Sequence, residues 1–241
     1  MKDNGLEAEF DLLADNYYIQ HKTNIAITGE APEYFSKYKV ADFANCFSNK
    51  NAPNTLLDFG CGIGNSIEFF REYFPISKLF CADVSARSID LSKSRFPGDE
   101  IYLQVSDSIP LPDHSIDAIF TACVFHHIPH QDHQKWLSEL RRVIRPGGVL
   151  AIYEHNPLNP LTVHAVNTCP IDINAKLIRA GIMKERALKA GWQDGNIEYK
   201  LFFPNVLKSL RPLEKYLHKF FLGAQWRLTP VSYTHLRAHE T

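Results

Sequence analysis

Two carboxylates, three glycines and three histidines carry the spacings in this chain that could do chemistry. Asp58 stands two residues ahead of Gly60, and Gly62 and Gly64 follow at alternate positions. Glycine turns sharply and lets a ligand touch backbone. A strand that enters such a run and a helix that leaves it make a nucleotide-sized pocket. The dinucleotide pattern G-x-G-x-x-G would need its third glycine at position 65, which is Asn65. A carboxylate as early as Asp58 is also poorly suited to a pyrophosphate. Asp83 closes the apolar run KLFCAD about twenty residues after the glycines. His126 and His127 follow one apolar run and His155 another; imidazole titrates near neutrality, so each is suited to moving a proton.

The surrounding pattern says what must position these groups. Residues 5–24 read as an amphipathic helix through Leu6, Phe10, Leu13 and Tyr17, and a second helix enters at Ala31-Pro32 and runs to Phe47. Apolar strands at 54–60, 78–83, 100–105, 116–123 and 149–154 then alternate with helices at 64–74, 86–95 and 131–143. That alternation calls for a parallel sheet with crossover helices. Residues 155–175 carry three prolines and several asparagines and read as an irregular cap over one sheet end. Their polar set (His155, Asn156, Asn159, His164, Asn167) is placed to orient a second ligand. A helix over 175–190 and strands near 196–203 and 220–228 follow, the strands separated by a short helix through Leu207 and Leu210. Residues 230–241 abandon the apolar pattern and are set apart as a non-native tail, so His235 and His239 are not read as metal ligands.

The order D-x-G-x-G-x-G, CADVS, QVSDSIPLPD, SIDAIFTACVFHHIP and ELRRVIRPGGVLAIYE resembles the motifs of class I S-adenosylmethionine (SAM) dependent methyltransferases, across about residues 54–155. The resemblance implies an α/β fold, a Rossmann-like seven-stranded mostly parallel sheet with an antiparallel last strand, helices on both faces and an N-terminal helical cap. It divides the chain into a cap (1–50), a methyltransferase domain (51–229) and the tail (230–241). It implies SAM as cofactor, held by Asp58, Gly60, Cys61, Gly62 and Gly64 at the turn, with Asp58 supporting the turn and the ammonium end. Asp83, with Val84, falls where the family takes both ribose hydroxyls, as a two-oxygen carboxylate can. Asp107 and Ser108 fall at the adenine end, and Cys123 to His127 at the pocket wall. Tyr18 is the expected aromatic over the cofactor, Phe35 the expected core residue, and Asp117 a structural strand-entry residue. His126, His127 and His155 are the expected catalytic groups, and no metal is expected.

With a net charge of -1 the chain lacks the basic surface of a dedicated nucleic-acid binder. Where nucleic-acid amino-methyltransferases carry N/D-P-P-Y/F, it has TACVFHH. The expectation is therefore a small-molecule acceptor, methylated at oxygen, with no nucleic-acid partner and no membrane insertion. A SAM-binding protein without transfer activity and a nucleotide-cofactor oxidoreductase are the two other classes that fit. Five cysteines (Cys46, Cys61, Cys81, Cys123, Cys169) without a C-x-x-C pair read as free thiols of a reducing compartment. Acidic residues occupy the N-terminus where a signal peptide needs an apolar run, and the expected location is cytoplasmic.

Overall fold

The computed structural model describes residues 10–12, 14, 17–47 and 52–232. Expectations that fall on Leu6, Leu13, His235 and His239 lie outside these residues. The short apolar runs, rich in Leu, Ile, Phe and Val, form the central strands, which are covered on both faces, and more polar strands flank them. The strands are β1 (Thr55–Phe59), β2 (Lys78–Asp83), β3 (Ile101–Gln104), β4 (Ile116–Ala122), β5 (Ile144–His155), β6 (Gln193–Lys200) and β7 (Gln225–Val231). One sheet results, ordered β3-β2-β1-β4-β5-β7-β6. β1 pairs in parallel with β2 and β4, while β7 runs antiparallel to both β5 and β6. The expected Rossmann-like sheet with an antiparallel last strand is the one that forms.

Helices cover the two faces. On one side α2 (Pro32–Ala44) and α3 (Ile67–Tyr73) bury Val40, Phe43, Ile67 and Phe70 against Leu56 and Phe120. On the other, α5 (His133–Val143) and α7 (Ala180–Lys189) bury Leu137, Leu140 and Met183 against Ile119 and Ile152. α1 (Tyr17–Ile25), α4 (Ala86–Arg95), α6 (Pro160–Thr168) and the single turn α8 (Glu214–Leu217) complete the set named here. A half-buried ion network clamps α2 to the far strands: Arg227 donates to Asp42 (2.8 Å) and Glu198 (2.9 Å), and Lys200 to Asp42 (2.8 Å).

Three of the departures from the sequence reading bear on the site and the sheet. Segment 155–175 is largely helical, because Asn159 caps α6 by accepting from the Thr162 N–H and Pro160 suits the first turn. The last two strands lie at 193–200 and 225–231, where antiparallel pairing fixes the register, and the apolar run Phe220-Phe221-Leu222 stays outside them and exposed. β7 also runs past residue 229: Val231 pairs with Val149 and Gln193, and buried Ser232 donates to the Gly148 carbonyl at 3.0 Å. Residues 230–232 therefore belong to the domain and not to a tail. Among the described residues no helix is long and apolar enough to cross a membrane.

Candidate active site

The strand order reverses at β1, whose neighbours are β2 and β4, and ligands of open α/β sheets bind outside the strand ends at such a point. A cavity of about 1070 Å³ opens there. Its wall at the end of β1 is the glycine turn, pinned to β2 by bonds from the Gly60 and Cys61 amides to the Ala82 carbonyl (2.7 and 3.1 Å). All three glycines have positive φ, but they do different work. A Cβ on Gly60 would lie 2.2 Å from Val124, and one on Gly64 would lie 2.3 Å from the Ser92 hydroxyl, whereas one on Gly62 would meet nothing within 4 Å. Gly62 faces the cavity. Gly64 permits close packing on α4 and does not line the cavity, which corrects its expected cofactor contact.

Asp83 stands at the end of β2 with one oxygen accepting from the Gly62 N–H (2.8 Å) and the other from the Ser85 N–H (2.9 Å). Both oxygens retain a lone pair for a ligand. Asp58 is buried beside it, and no hydrogen-bond donor among the described residues supports its carboxyl. Burial first, and then the charge of Asp83, push Asp58 up to about 7, with Lys39 acting in the opposite sense. A buried acid held without a donor is suited to a cationic ligand group.

The opposite wall follows β4 and β5. Glu154, buried at the end of β5, accepts from the Val124 (2.9 Å) and Phe125 (2.6 Å) amides with one oxygen and meets His126 Nδ1 at 2.5 Å with the other. One carboxylate thus fixes the whole loop after β4. Beyond it, Asp172 Oδ1 lies 3.5 Å from His126 Nε2 and 3.4 Å from His127 Nε2. Burial alone would lower His126, but the Glu154 charge and the bonds to Asp172 and Glu154 reverse this and hold it protonated. His127, against the edge of the Phe10 ring at 5.0 Å between centroids, is lowered by burial and by the His126 charge. His126, His127 and Asp172 bring donor atoms within 4.8 Å of one another, but a protonated His126 with Nδ1 on Glu154 and Nε2 toward Asp172 has no lone pair to give a cation.

Cys123 adopts a left-handed backbone (φ 60) after β4, and its sulfur receives Lys39 Nζ and Gln225 Nε2, each at 3.7 Å. Burial would raise this thiol, yet His155 and Lys39 outweigh it and bring it down to about 7.

Of the residues expected at the site, Asp58, Gly60, Cys61, Gly62, Asp83, Val84, Asp107, Cys123, His126, His127 and His155 all line the cavity. Asp107 is largely exposed there and pairs with Lys135 at 3.6 Å. Ser108 is exposed outside the lining, because the chain turns away after Asp107. Tyr18 is also outside: its hydroxyl donates to Glu33 (2.8 Å) and its ring packs under Arg95. On α2, Tyr34 and Phe35 are among the aromatics that do line the cavity, so Phe35 is not a core residue. Asn156 is structural, donating to the Phe221 and Gly223 carbonyls (2.7 and 2.8 Å). Asp117 is structural as expected, accepting from the Asn54 and Thr55 amides (2.7 and 3.1 Å).

Residues 57–152 match the family model of a methyltransferase domain. That stretch is similar to the SAM-dependent methyltransferase domains that its motifs resemble. The domain is 30% identical over 125 residues to a tRNA N(3)-cytidine methyltransferase from Danio rerio, covering 45% of this chain and 34% of that protein. It is 37% identical over 98 residues to the trans-aconitate 2-methyltransferase of Azoarcus sp. (strain BH72), covering 41% and 38%. The chain thus spans about a third of the length of these curated relatives. A solved SAM-dependent methyltransferase from Thermotoga maritima, described as a possible histamine N-methyltransferase, superposes with a TM-score of 0.66 at 15% identity, over 95% of this chain and 100% of that one.

The tRNA-modifying relative overturns the exclusion of nucleic acid as a partner. Two physical points explain the error. A net charge of -1 is an average and says nothing of a local contact surface. The N/D-P-P-Y/F signature concerns exocyclic amino groups, whereas a ring nitrogen presents its own lone pair.

Proposed function

We propose that the chain binds SAM across the sheet end and transfers its methyl group to a nitrogen or oxygen nucleophile admitted beside His127. The observation that carries this reading is one cavity that unites a donorless buried acid, an open glycine, a strand-end carboxylate and a histidine cluster. Asp58 would meet the amino-acid ammonium, Lys39 its carboxylate, Asp83 the ribose hydroxyls, and Asp107 the adenine end. The methyl group would then point toward Cys123 and the histidines.

SAM supplies an activated methyl when bound, so the chain's task is alignment and exclusion of water, worth on the order of 7–11 kcal/mol when reactants are well oriented. His127, kept neutral, is the residue able to take a proton from an acceptor that must lose one. His126 holds its own proton against Glu154 and Asp172 and therefore orients the site. His155, paired with Cys123, closes the wall between them.

Labelled SAM offered with deacylated tRNA and with trans-aconitate tests the reading. Formation of S-adenosylhomocysteine with either supports it; neither acceptor must lose a proton, so His127→Asn should spare kcat with these two and lower it about 10²-fold or more only with an acceptor that must lose one, such as an alcohol. Binding without turnover across a wider acceptor panel would instead favour a SAM-binding protein.

A further inference from the structure

Between β6 and β7 the chain leaves the sheet at Leu201 and returns at Ala224, a far longer excursion than a hairpin needs. It contains a 3₁₀ segment, Asn205–Leu213, and α8, and neither buries a single residue. Val206 (86% exposed), Tyr216 (72%), Leu213, Phe220 and Phe221 all face outward. So many exposed apolar side chains gathered in one segment of a folded domain point to an interaction site.

The charges of the excursion are sorted by direction. Its acid, Glu214, turns inward and accepts from the Phe202 and Phe203 amides (2.9 and 3.0 Å). Arg211 also turns inward, to Glu30 and over the Tyr34 ring, and anchors the excursion to the helical cap. Lys208, Lys215 and Lys219 are exposed and interspersed in sequence with the apolar residues, Lys215 lying over the Tyr216 ring.

We propose that this face docks on the surface of an anionic lipid bilayer. An exposed segment with aliphatic and aromatic side chains beside lysines is suited to the headgroup boundary, where apolar burial and attraction to anionic lipid act together. A phosphate backbone would engage the lysines but has no use for the aliphatic set, and a second copy in a two-fold contact would set these lysines against one another. Leu201, Phe202, Phe203, Pro204 and Arg211 also line the cavity, so docking would bring the cavity mouth to the lipid surface.

Vesicle flotation tests this without SAM or an acceptor, and so independently of the proposed function. The protein should float with phosphatidylglycerol/phosphatidylcholine vesicles, and much less with phosphatidylcholine alone. Lys208→Glu with Lys219→Glu should weaken partitioning at least about tenfold. Val206→Ser with Tyr216→Ser and Phe220→Ser should do the same while the melting temperature holds, since all three side chains are exposed. Failure of the wild type to float with anionic vesicles would overturn the proposal. So would a solution dimer abolished by the serine variant, or tRNA binding lost on lysine reversal in a protein that does not float.

Discussion

Lowering the pH from 7 to 5 should release SAM, and Asp58 sets the size of the effect. In the free protein this carboxyl is raised to about 7 by burial and by Asp83. Its proposed ligand is an ammonium, which requires the ionised form. The sign follows directly: affinity is fully present above the raised value and is lost as pH falls through it. Half of the groups are ionised at pH 7, about a tenth at pH 6 and about a hundredth at pH 5, so the Kd should rise about fivefold over the first unit and about tenfold over the second. Calorimetry with S-adenosylhomocysteine at the three pH values reads this out. Two controls isolate the group. Asp58→Asn should bind more weakly with a flat profile, and 5′-methylthioadenosine, which lacks the amino-acid part, should bind wild type without the slope. An unchanged wild-type Kd, or the same slope in Asp58→Asn, would refute the reasoning.

The glycines should separate by substitution. Gly62→Ala pays only left-handed backbone strain, about 1–2 kcal/mol, while Gly60→Ala adds the collision with Val124, about 1–3 kcal/mol more; equal losses in denaturant unfolding would contradict the assignment of roles. At the other end, a chain ending at Thr229 should melt lower than one ending at Ser232. The loss of the Val231 pairing and of the Ser232 bond to Gly148 amounts to about 1–2 kcal/mol, or roughly 4 °C for a domain of this size. Identical melting curves would show that these residues contribute nothing.

The sheet was legible because each of its central strands is apolar on both faces and bounded by a turn, and the glycine turn because its residue types are demanded by local backbone. Strand-end positions such as Asp83, Cys123 and His155 followed from the same logic. What the sequence withheld is contact across distance. Asp172 reaches His126 and His127 from the 3₁₀ turn Pro170–Asp172, some forty-five residues on, and no local pattern announces it. Glu154 had a signal that went unused, an acid closing an otherwise apolar buried strand, and it anchors the loop after β4. Tyr18 misses the cavity and Phe35 lines it because helical periodicity tells which residues share a face, not what that face meets. Lys39, four residues after Phe35 on α2, points into the same cavity for that reason. β7 overran its expected end because pairing with β5 and β6, not hydrophobicity, decides where an antiparallel strand stops.

The central claim is that the cofactor lies across the glycine turn with its ribose on Asp83. Titrating S-adenosylhomocysteine into wild type and Asp83→Ala at pH 8 tests it most directly. The account predicts saturable binding to wild type and a loss of about 1.5–3 kcal/mol in the variant, the value of hydrogen bonds to a charged group. Equal affinity in the two proteins, with the variant folded, would contradict it.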